Sequence, residues 1–306
     1  MIWLIGCNGM LGSEIAREFG EKKIDFIGTD REVDFTDENA ISDFVKKVDS
    51  DGKKIDFIVN CAAYTAVDKA ESDQELAERL NVLGPKNLAC TAKKIGATLI
   101  HISTDYVFDG TGKTPRTEDM PVAPIGVYGV TKADGEKAVS ENTDKYYILR
   151  TAWLYGWAGK NFVYTMLRAM NTHDSVKVVN DQFGTPTFAG DLANVIIKLI
   201  CVSKDSAAEN PVPYGIYHCT DLGEISWWDF TNEIKVQGIE AGWITNKSCI
   251  VNPCSTEEYP TPAKRPAYSV LSKEKIQKAL GVALPDWKKS LHIFLNSALF
   301  DKSRIE

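Results

Sequence analysis

Two side chains four residues apart, Tyr128 and Lys132, form a Y-x-x-x-K pattern at the start of a predicted helix. Side chains at this spacing project from the same face of a helix. An ammonium beside a phenol favours the phenolate and lowers the pKa of the tyrosine, which suits a general acid or base. The pattern also occurs by chance, and an exposed pair would be inert. The pair therefore indicates a proton-transfer site only if other reactive groups lie near it.

A second candidate segment, Ser103-Thr104-Asp105, follows a predicted strand over residues 98–103. Hydroxyl groups at the end of a strand can donate hydrogen bonds to the carbonyl oxygen of a substrate. Ser-Thr-Asp is also a common turn or helix cap, and on these residues alone the turn is the favoured interpretation. The order along the chain supports the catalytic hypothesis, because Thr104 lies between a glycine-rich turn and the Tyr–Lys pair.

The glycine-rich turn directly follows an apolar run, residues 2–5, that is typical of a buried strand. Three glycines at three-residue spacing lead into a helix predicted over residues 13–19. Such an arrangement can hold a pyrophosphate, because backbone N–H groups and the helix dipole face the anion. The spacing differs from the usual G-x-G-x-x-G, so a purely structural turn is the alternative. The predicted cofactor-binding residues here are Gly6, Asn8, Gly9, Met10, Leu11 and Gly12.

Two further segments complete the predicted cofactor site. Asp30 and Arg31 follow a predicted strand over residues 25–28. Asp30 suits the free 2′-hydroxyl of NAD, and Arg31 suits the 2′-phosphate of NADP. After another predicted strand, residues 55–61, small side chains would let a flat cofactor approach the backbone, although a tightly packed loop explains them equally well. That segment contributes Cys61, Ala62, Ala63 and Tyr64.

Alternating strands and helices organise the first half of the chain. Strands are predicted at residues 2–5, 25–28, 55–61, 98–103 and 146–149, and helices at 13–19, 37–48, 72–92 and 131–139. This alternation predicts an α/β, Rossmann-type doubly wound parallel sheet. After about Trp153 the alternation stops, which indicates a smaller interleaved C-terminal substrate domain. We predict a cofactor domain of residues 1–153 plus about 187–222, and a smaller domain of about 154–186 and 223–306.

Composition argues against several classes of protein. The 306-residue chain has a net charge of −7 and no block of Lys or Arg, so we expect no nucleic-acid partner. No apolar stretch reaches membrane-spanning length, and the N-terminus lacks the basic start of a signal peptide. We therefore expect a cytoplasmic protein without a membrane partner. Seven scattered cysteines and four isolated histidines predict free thiols and no metal site.

Six motifs resemble those of the extended short-chain dehydrogenase/reductases, and within them the dTDP-4-dehydrorhamnose reductase family, along nearly the whole chain. They are GCNGMLG at 6–12, NCAAYTAVDKAE at 60–71, STDYVFDG at 103–110, YGVTK at 128–132, RTAWLYG at 150–156 and DQFGTPTFAGDLA at 181–193. The second and fifth motifs are specific to the reductase subgroup. The glycines and Y-x-x-x-K mark only the superfamily. Cys7 and Met10 depart from the residues usual in the glycine turn.

The resemblance implies reduction of the 4-keto group of dTDP-4-dehydro-L-rhamnose to dTDP-L-rhamnose by hydride from a nicotinamide. Tyr128 would protonate the developing alkoxide, and Thr104 would hydrogen-bond the same oxygen. Lys132 would tune Tyr128 and hold the nicotinamide ribose, and Tyr128 would also contact the cofactor. The reductive direction favours NADPH, with NADH as an alternative donor. The implied substrate-binding residues are Thr65, Val67, Asp105 and Trp153 around the sugar, and Arg265 at a phosphate.

Several alternatives stay open at this stage. Trp153 is equally interpreted as a core aromatic, and Arg265 as a solvated surface residue. A non-catalytic regulatory subunit like that of methionine adenosyltransferase resembles these reductases, although the intact set of Thr104, Tyr128 and Lys132 argues against it. Another nucleotide-sugar epimerase or dehydratase would keep a tightly held NAD through its cycle. Some family members form metal-bridged dimers, so a homodimer is also open.

Overall fold

The computed structural model describes residues 1–204 and 211–305. Residues 205–210, within the predicted 187–222 stretch, and residue 306, at the end of the predicted smaller domain, lie outside the described residues. Of the helices in the described ranges, none combines the length and the apolar character needed to cross a membrane.

The described residues contain twelve strands, and the predicted strands are present with ends shifted by no more than two residues. In chain order they are β1 (Ile2–Ile5), β2 (Phe26–Thr29), β3 (Phe57–Asn60), β4 (Thr98–Thr104), β5 (Tyr146–Thr151), β6 (Leu154–Tyr155), β7 (Ser175–Val179), β8 (Phe183–Gly184), β9 (Thr187–Phe188), β10 (Gly215–His218), β11 (Ile225–Ser226) and β12 (Ile250–Cys254).

Eleven α-helices accompany these strands in the described ranges. They are α1 (Met10–Glu21), α2 (Glu38–Ser50), α3 (Val67–Ala70), α4 (Gln74–Glu78), α5 (Gly84–Ile95), α6 (Val127–Asn142), α7 (Phe162–Thr172), α8 (Ala189–Lys204), α9 (Trp227–Glu240), α10 (Glu274–Leu280) and α11 (Trp287–Asn296). A π-helical turn (Arg79–Leu83) joins α4 to α5, and short 3-10 segments occur at Asp105–Val107 and Lys302–Arg304.

Six strands form one parallel sheet in the order β10-β5-β4-β3-β1-β2. From β1 the chain passes to β2 on one side and then returns to β3 on the other side, so the strand order reverses between β1 and β3. In open parallel sheets, ligands bind at the carboxyl ends of the strands beside such a reversal. The structure confirms the predicted α/β doubly wound sheet and gathers the ends of β1, β3 and β4 at one edge.

Apolar side chains cover both faces of this sheet. In β1, Ile2 and Leu4 pack into the core formed with α1 and α8, whereas Trp3 and Ile5 pack into the core formed with α2 and α5. Successive side chains of a strand point to opposite faces, and here both faces are buried. Burial on both sides explains why such strands appear as continuous apolar runs in the sequence.

A second core, rich in aromatic side chains, lies in the C-terminal part of the chain. Tyr155 packs against Phe188 and Phe294, with ring centroids 5.7 and 5.3 Å away. Helices α7, α9 and α11 contribute to this core, and the pairs β6–β9, β7–β12 and β8–β11 form two-stranded sheets. Most of this core comes from the regions predicted as a smaller domain, but Phe188 comes from the stretch predicted as part of the cofactor domain. The limits of the two domains stay a prediction.

The segment 72–92, predicted as one long helix with a bend at Pro85, is divided into α4, the π turn and α5. Pro85 has no N–H to donate to the carbonyl of Asn81 four residues earlier, so a regular helix cannot continue through this point. The Asn81 carbonyl instead lies against α6, where a Cβ on Gly135 would be 2.0 Å from it. The π turn therefore packs closely against α6 at Gly135.

Candidate active site

A cavity of about 940 Å³ lies at the carboxyl ends of β1, β3 and β4, beside α6. Its wall contains all of the predicted site residues except Gly12, Tyr64 and Arg265. The structure therefore places the glycine turn and the catalytic candidates Thr104 and Tyr128 around one shared space.

The glycine turn brings α1 close to β1. Gly6 has a left-handed backbone (φ +74°), and a Cβ there would lie 2.9 Å from the backbone nitrogen of Ala62. A Cβ on Gly12 would lie 2.0 Å from the carbonyl oxygen of Gly6, so only glycine permits this contact. Gly9 precedes α1 and provides no side-chain cap, so the first-turn N–H groups of the helix stay available to an anion.

We expect Gly12→Ala to lower the free energy of unfolding by about 1–3 kcal/mol, because the added Cβ forces a backbone shift. Gly20→Ala, on the same helix, is the matched control. A Cβ there meets nothing within 4 Å, and alanine should stabilise the helix by up to about 1 kcal/mol. Urea unfolding followed by circular dichroism measures both variants. Equal midpoints would contradict the tight helix–strand contact.

The same region contains the groups that a dinucleotide requires. Asp30 and Arg31, at the end of β2, line the cavity beside the glycine turn. Arg79 lies on the same wall, but its guanidinium forms an ion pair with Asp34, with an N–O distance of 2.9 Å. Arg31, by contrast, is exposed at the cavity. A carboxylate suits a ribose hydroxyl and a free guanidinium suits a 2′-phosphate. The residues therefore fit NADP, and Asp30 also fits NAD.

Thr104 and Tyr128 meet where β4 ends beside α6. The hydroxyl of Thr104 donates to Oδ1 of Asp105 at 3.0 Å and accepts from the backbone N–H of Tyr106 at 3.2 Å. The Thr104 hydroxyl also acts on the phenol of Tyr128, whose pKa it lowers. Gly129 permits the approach of α6, since a Cβ there would lie 2.3 Å from the Tyr106 carbonyl. The arrangement places two hydroxyl groups side by side on the cavity wall.

The phenol of Tyr128 is held in its neutral form. Burial raises the pKa of Tyr128 to about 12, and the negative charge of Asp105 adds to the rise, while the hydrogen bond to Thr104 acts in the opposite direction. The sequence-based expectation that Lys132 lowers this pKa is therefore wrong, because desolvation of the phenolate dominates. A neutral phenol at neutral pH is the form that donates a proton, so Tyr128 is equipped to act as a general acid.

Lys132 lies one turn further along α6 and is 2% exposed. Its Nζ donates to the carbonyl oxygen of Ile102 at 2.6 Å and lies 3.3 Å from Nε2 of His101. Burial lowers the pKa of Lys132 to about 8, and the nearby Glu136 carboxylate acts in the opposite direction. The lysine is thus fixed at the cavity wall and changes charge close to working pH.

Asp105 offers an acceptor to a ligand. Burial raises the pKa of this carboxyl group to about 6. Its Oδ2 is buried on the cavity wall and has no hydrogen-bond partner among the residues that the structure describes. Buried polar atoms are normally paired, so an orphaned oxygen here is available to a ligand hydroxyl.

Trp153 belongs to the cavity wall. Its backbone is left-handed (φ +47°), which is rare for a bulky residue and typical of strained functional positions. The indole stacks on Trp227 with a centroid distance of 3.6 Å and an interplanar angle of 11°. Gly184 lies beneath the ring, where a Cβ would be 2.6 Å from it. Thr65, Val67 and both tryptophans line the same cavity.

Two predicted ligand-binding side chains lie elsewhere. Tyr64 is buried, and its phenol donates to Asp73 at 3.2 Å. Arg265 donates to Asp68 at 2.8 Å and is not part of the cavity wall. Backbone contact at Tyr64 and phosphate binding by Arg265 stay predictions, and for Arg265 the latter requires release from its ion pair.

Sequence reasoning missed three buried polar residues behind the wall: Asn60, His101 and Asn81. Asn81 accepts from the backbone N–H of Tyr64 at 2.9 Å and donates to Thr131 at 3.1 Å, so it fastens the loop after β3 to α6. Asn60 and His101 interrupt otherwise apolar strands, and a polar residue in such a strand must be hydrogen-bonded. That interruption is the signal that could have revealed them.

Known proteins resemble this chain over nearly its whole length. The family described as RmlD substrate binding domain matches residues 1–300. The dTDP-4-dehydrorhamnose reductase of Shigella flexneri is 40% identical over 301 residues, which cover 96% of this chain and 97% of that protein.

Solved structures give the same result. A dTDP-4-dehydrorhamnose reductase from Clostridium acetobutylicum has a TM-score of 0.86 and 44% identity, covering 96% of this chain and 98% of that one. One from Bacillus anthracis, in complex with NADP, has a TM-score of 0.84 and 36% identity, covering 96% and 97%. Sequence, fold and the residues around the cavity agree, and this chain therefore belongs to the dTDP-4-dehydrorhamnose reductase family.

Proposed function

We propose that this chain reduces the 4-keto group of dTDP-4-dehydro-L-rhamnose to give dTDP-L-rhamnose, with NADPH as the cofactor and NADH as an alternative donor. The observation that carries the proposal is that Thr104, Tyr128 and Lys132 share one cavity with the glycine turn. Family membership supports the choice of sugar, and the exposed Arg31 at the cavity supports NADPH.

The reaction needs a hydride and a proton. When bound, a reduced nicotinamide supplies the hydride that forms the new C4–H bond of the sugar. Tyr128 donates a hydrogen bond to the carbonyl oxygen and transfers its proton to that oxygen as the C=O π bond opens. Thr104 donates to the same oxygen once its hydroxyl hydrogen has rotated away from Oδ1 of Asp105. Hydrogen bonds aimed at charge that develops mainly in the transition state accelerate the reaction.

Lys132 stabilises the state that follows proton transfer. Once Tyr128 has given up its proton, a phenolate remains, and an ammonium on the same face of α6 lowers its energy. The pKa of Lys132, lowered by burial to about 8, leaves most molecules cationic at neutral pH. Lys132 also supplies a donor for a hydroxyl of the nicotinamide ribose.

The sugar nucleotide is the proposed small-molecule partner. Thr65, Val67, Asp105 and Trp153 would surround the sugar, with the unpaired Oδ2 of Asp105 accepting from a sugar hydroxyl. The thymidine diphosphate would extend toward the smaller domain and Arg265. A cytoplasmic location and a homodimer remain part of the proposal, as predicted from the sequence.

A direct assay tests this function. Purified protein mixed with NADPH and dTDP-4-dehydro-L-rhamnose should oxidise NADPH in proportion to the sugar added, which absorbance measures. A regulatory subunit would instead show no oxidation and would co-purify with a partner enzyme. An epimerase or dehydratase would retain tightly held NAD and consume no added NADPH. Either of those results would replace the proposal.

A further inference from the structure

Three buried polar side chains form a chain behind the cavity wall, from Lys132 through His101 to Asn60. Nζ of Lys132 lies 3.3 Å from Nε2 of His101, and Nδ1 of His101 lies 3.1 Å from Nδ2 of Asn60. Each residue is at most 2% exposed. Lys132 takes part in the proposed reaction, whereas His101 and Asn60 have no assigned role in it.

The backbone fixes the direction of the Asn60 amide. The N–H of Ala62 donates to Oδ1 of Asn60 at 3.0 Å, so the amide nitrogen is the atom that faces His101. An amide nitrogen only donates, and Nδ1 of His101 must therefore accept. A neutral imidazole that accepts at Nδ1 carries its proton on Nε2. The Nε2–H group of His101 then faces Lys132.

This tautomer disfavours a charged Lys132. An ammonium has three donors and no acceptor. It therefore cannot accept a hydrogen bond from the Nε2–H of His101, and the two N–H groups would repel each other. A neutral amine has a lone pair that accepts from Nε2–H. The hydrogen bond from Lys132 to the carbonyl of Ile102 exists in both states. His101 in this tautomer therefore favours loss of a proton from Lys132.

The charges around the lysine are consistent with this effect. Glu136 attracts the ammonium, but its carboxylate accepts two hydrogen bonds from Arg150, at 2.9 and 2.7 Å, and that cation offsets the attraction. Tyr128, on the same helix, is neutral. Burial, and secondarily the charge of Lys132, holds the pKa of His101 well below its usual value, so His101 stays uncharged.

We propose that His101 and Asn60 are positioning residues that set the charge of Lys132 through the Nε2–H tautomer of His101. Lys132 then exchanges its proton near working pH instead of remaining a permanent cation. The consequence for catalysis, which rests on the proposed function, is an alkaline limit to kcat/KM that follows deprotonation of Lys132. Below this limit the ammonium stabilises the Tyr128 phenolate, and above it that support is lost.

The tautomer can be measured without any activity. The chain has four histidines, so a sample labelled with ¹⁵N-histidine gives a simple spectrum. His218, also buried, is the internal comparison, because its Nδ1 lies 3.1 Å from the carbonyl oxygen of Arg116 and must carry the proton. We expect one buried histidine of each tautomer in the wild type. Two buried histidines with Nδ1–H would overturn the proposal.

Asn60→Asp tests the link to Lys132. A carboxylate accepts from both Ala62 N–H and His101 Nδ1–H, so His101 should switch tautomer and its Nε2 should accept from the ammonium. The alkaline limb of kcat/KM, expected near the Lys132 pKa of about 8, should then move up by about one pH unit or more. The His218 signal should not change.

The matched control is Asn87→Asp, which also places a carboxylate at a buried asparagine, here on α5 and outside the cavity wall. Asn87→Asp should lower the free energy of unfolding without shifting the alkaline limb of the kcat/KM profile. A switched His101 signal with an unmoved limb in Asn60→Asp would overturn the proposal. The wild-type spectrum decides the tautomer even where Asn60→Asp fails to fold or the keto sugar is not turned over.

Discussion

Tyr128→Phe is expected to lower kcat for dTDP-4-dehydro-L-rhamnose by at least ~10²-fold, because it removes the group that protonates the alkoxide. Burial keeps the phenol neutral, with a pKa raised to about 12, so the wild type retains this donor across the neutral range. Phenylalanine preserves the ring and its edge-on contact with Tyr106, whose centroid is 5.5 Å away. Steady-state NADPH oxidation measures the loss.

Tyr106→Phe is the control for this variant. Tyr106 lies on the cavity wall, and its hydroxyl is outside the proposed proton path. We expect its kcat to stay within about tenfold of the wild type and its NADPH affinity to be unchanged. Wild-type turnover in Tyr128→Phe would remove Tyr128 from its assigned role. Equal losses in the two variants would point to damage of the pocket.

The strands of the main sheet are predictable because their environment is simple. A parallel strand that is buried on both faces is typically a short apolar run. β1 is apolar throughout, and β3 is apolar up to its last residue, Asn60. The interruption at Arg79–Leu83 is different, because it arises from packing against α6. Pro85 signals a bend, but the contact between Asn81 and Gly135 that selects a π turn depends on a helix some fifty residues away in sequence.

The cavity wall is likewise predictable where motifs end strands, since parallel strands deliver their carboxyl ends to one edge. The Asn60–His101 contact is not, because it depends on register. These residues are direct neighbours across β3 and β4, and a shift of one residue would turn their side chains to opposite faces. Local sequence does not specify that register, so the Asn60–His101 contact can be identified only from the structure.

The sign of the Tyr128 pKa shift shows a second limit of spacing arguments. A four-residue interval predicts that Lys132 lies on the same helix face, and both residues line one cavity. It says nothing of how deeply the phenol is buried, and desolvation is the larger effect here. Charge proximity can be inferred from a helix pattern, whereas the dielectric environment depends on the packing of β4, α6 and the Asp105–Val107 segment.

Arg150→Met is expected to lower the free energy of unfolding by about 3–5 kcal/mol. Arg150, on β5, makes two hydrogen bonds to Glu136 on α6, at 2.9 and 2.7 Å, and the two side chains are only 3% and 6% exposed. Removing the guanidinium leaves a buried carboxylate without its partner. Urea unfolding measures the loss, and because α6 also carries Tyr128 and Lys132, kcat should fall as well.

Two further variants test whether the loss of stability arises because the ion pair is buried. The double variant Arg150→Met/Glu136→Leu removes both charges and should recover most of the loss, since a buried ion pair and an apolar pair of similar volume are often equally stable. Lys46→Met breaks an exposed pair with Asp43, whose side chains are 72% and 76% exposed, and should cost no more than about 1 kcal/mol. If Arg150→Met costs as little as Lys46→Met, the pair does not anchor α6 to the sheet. The orientation of the catalytic helix would then depend on its apolar contacts and on the close approach at Gly129 and Gly135.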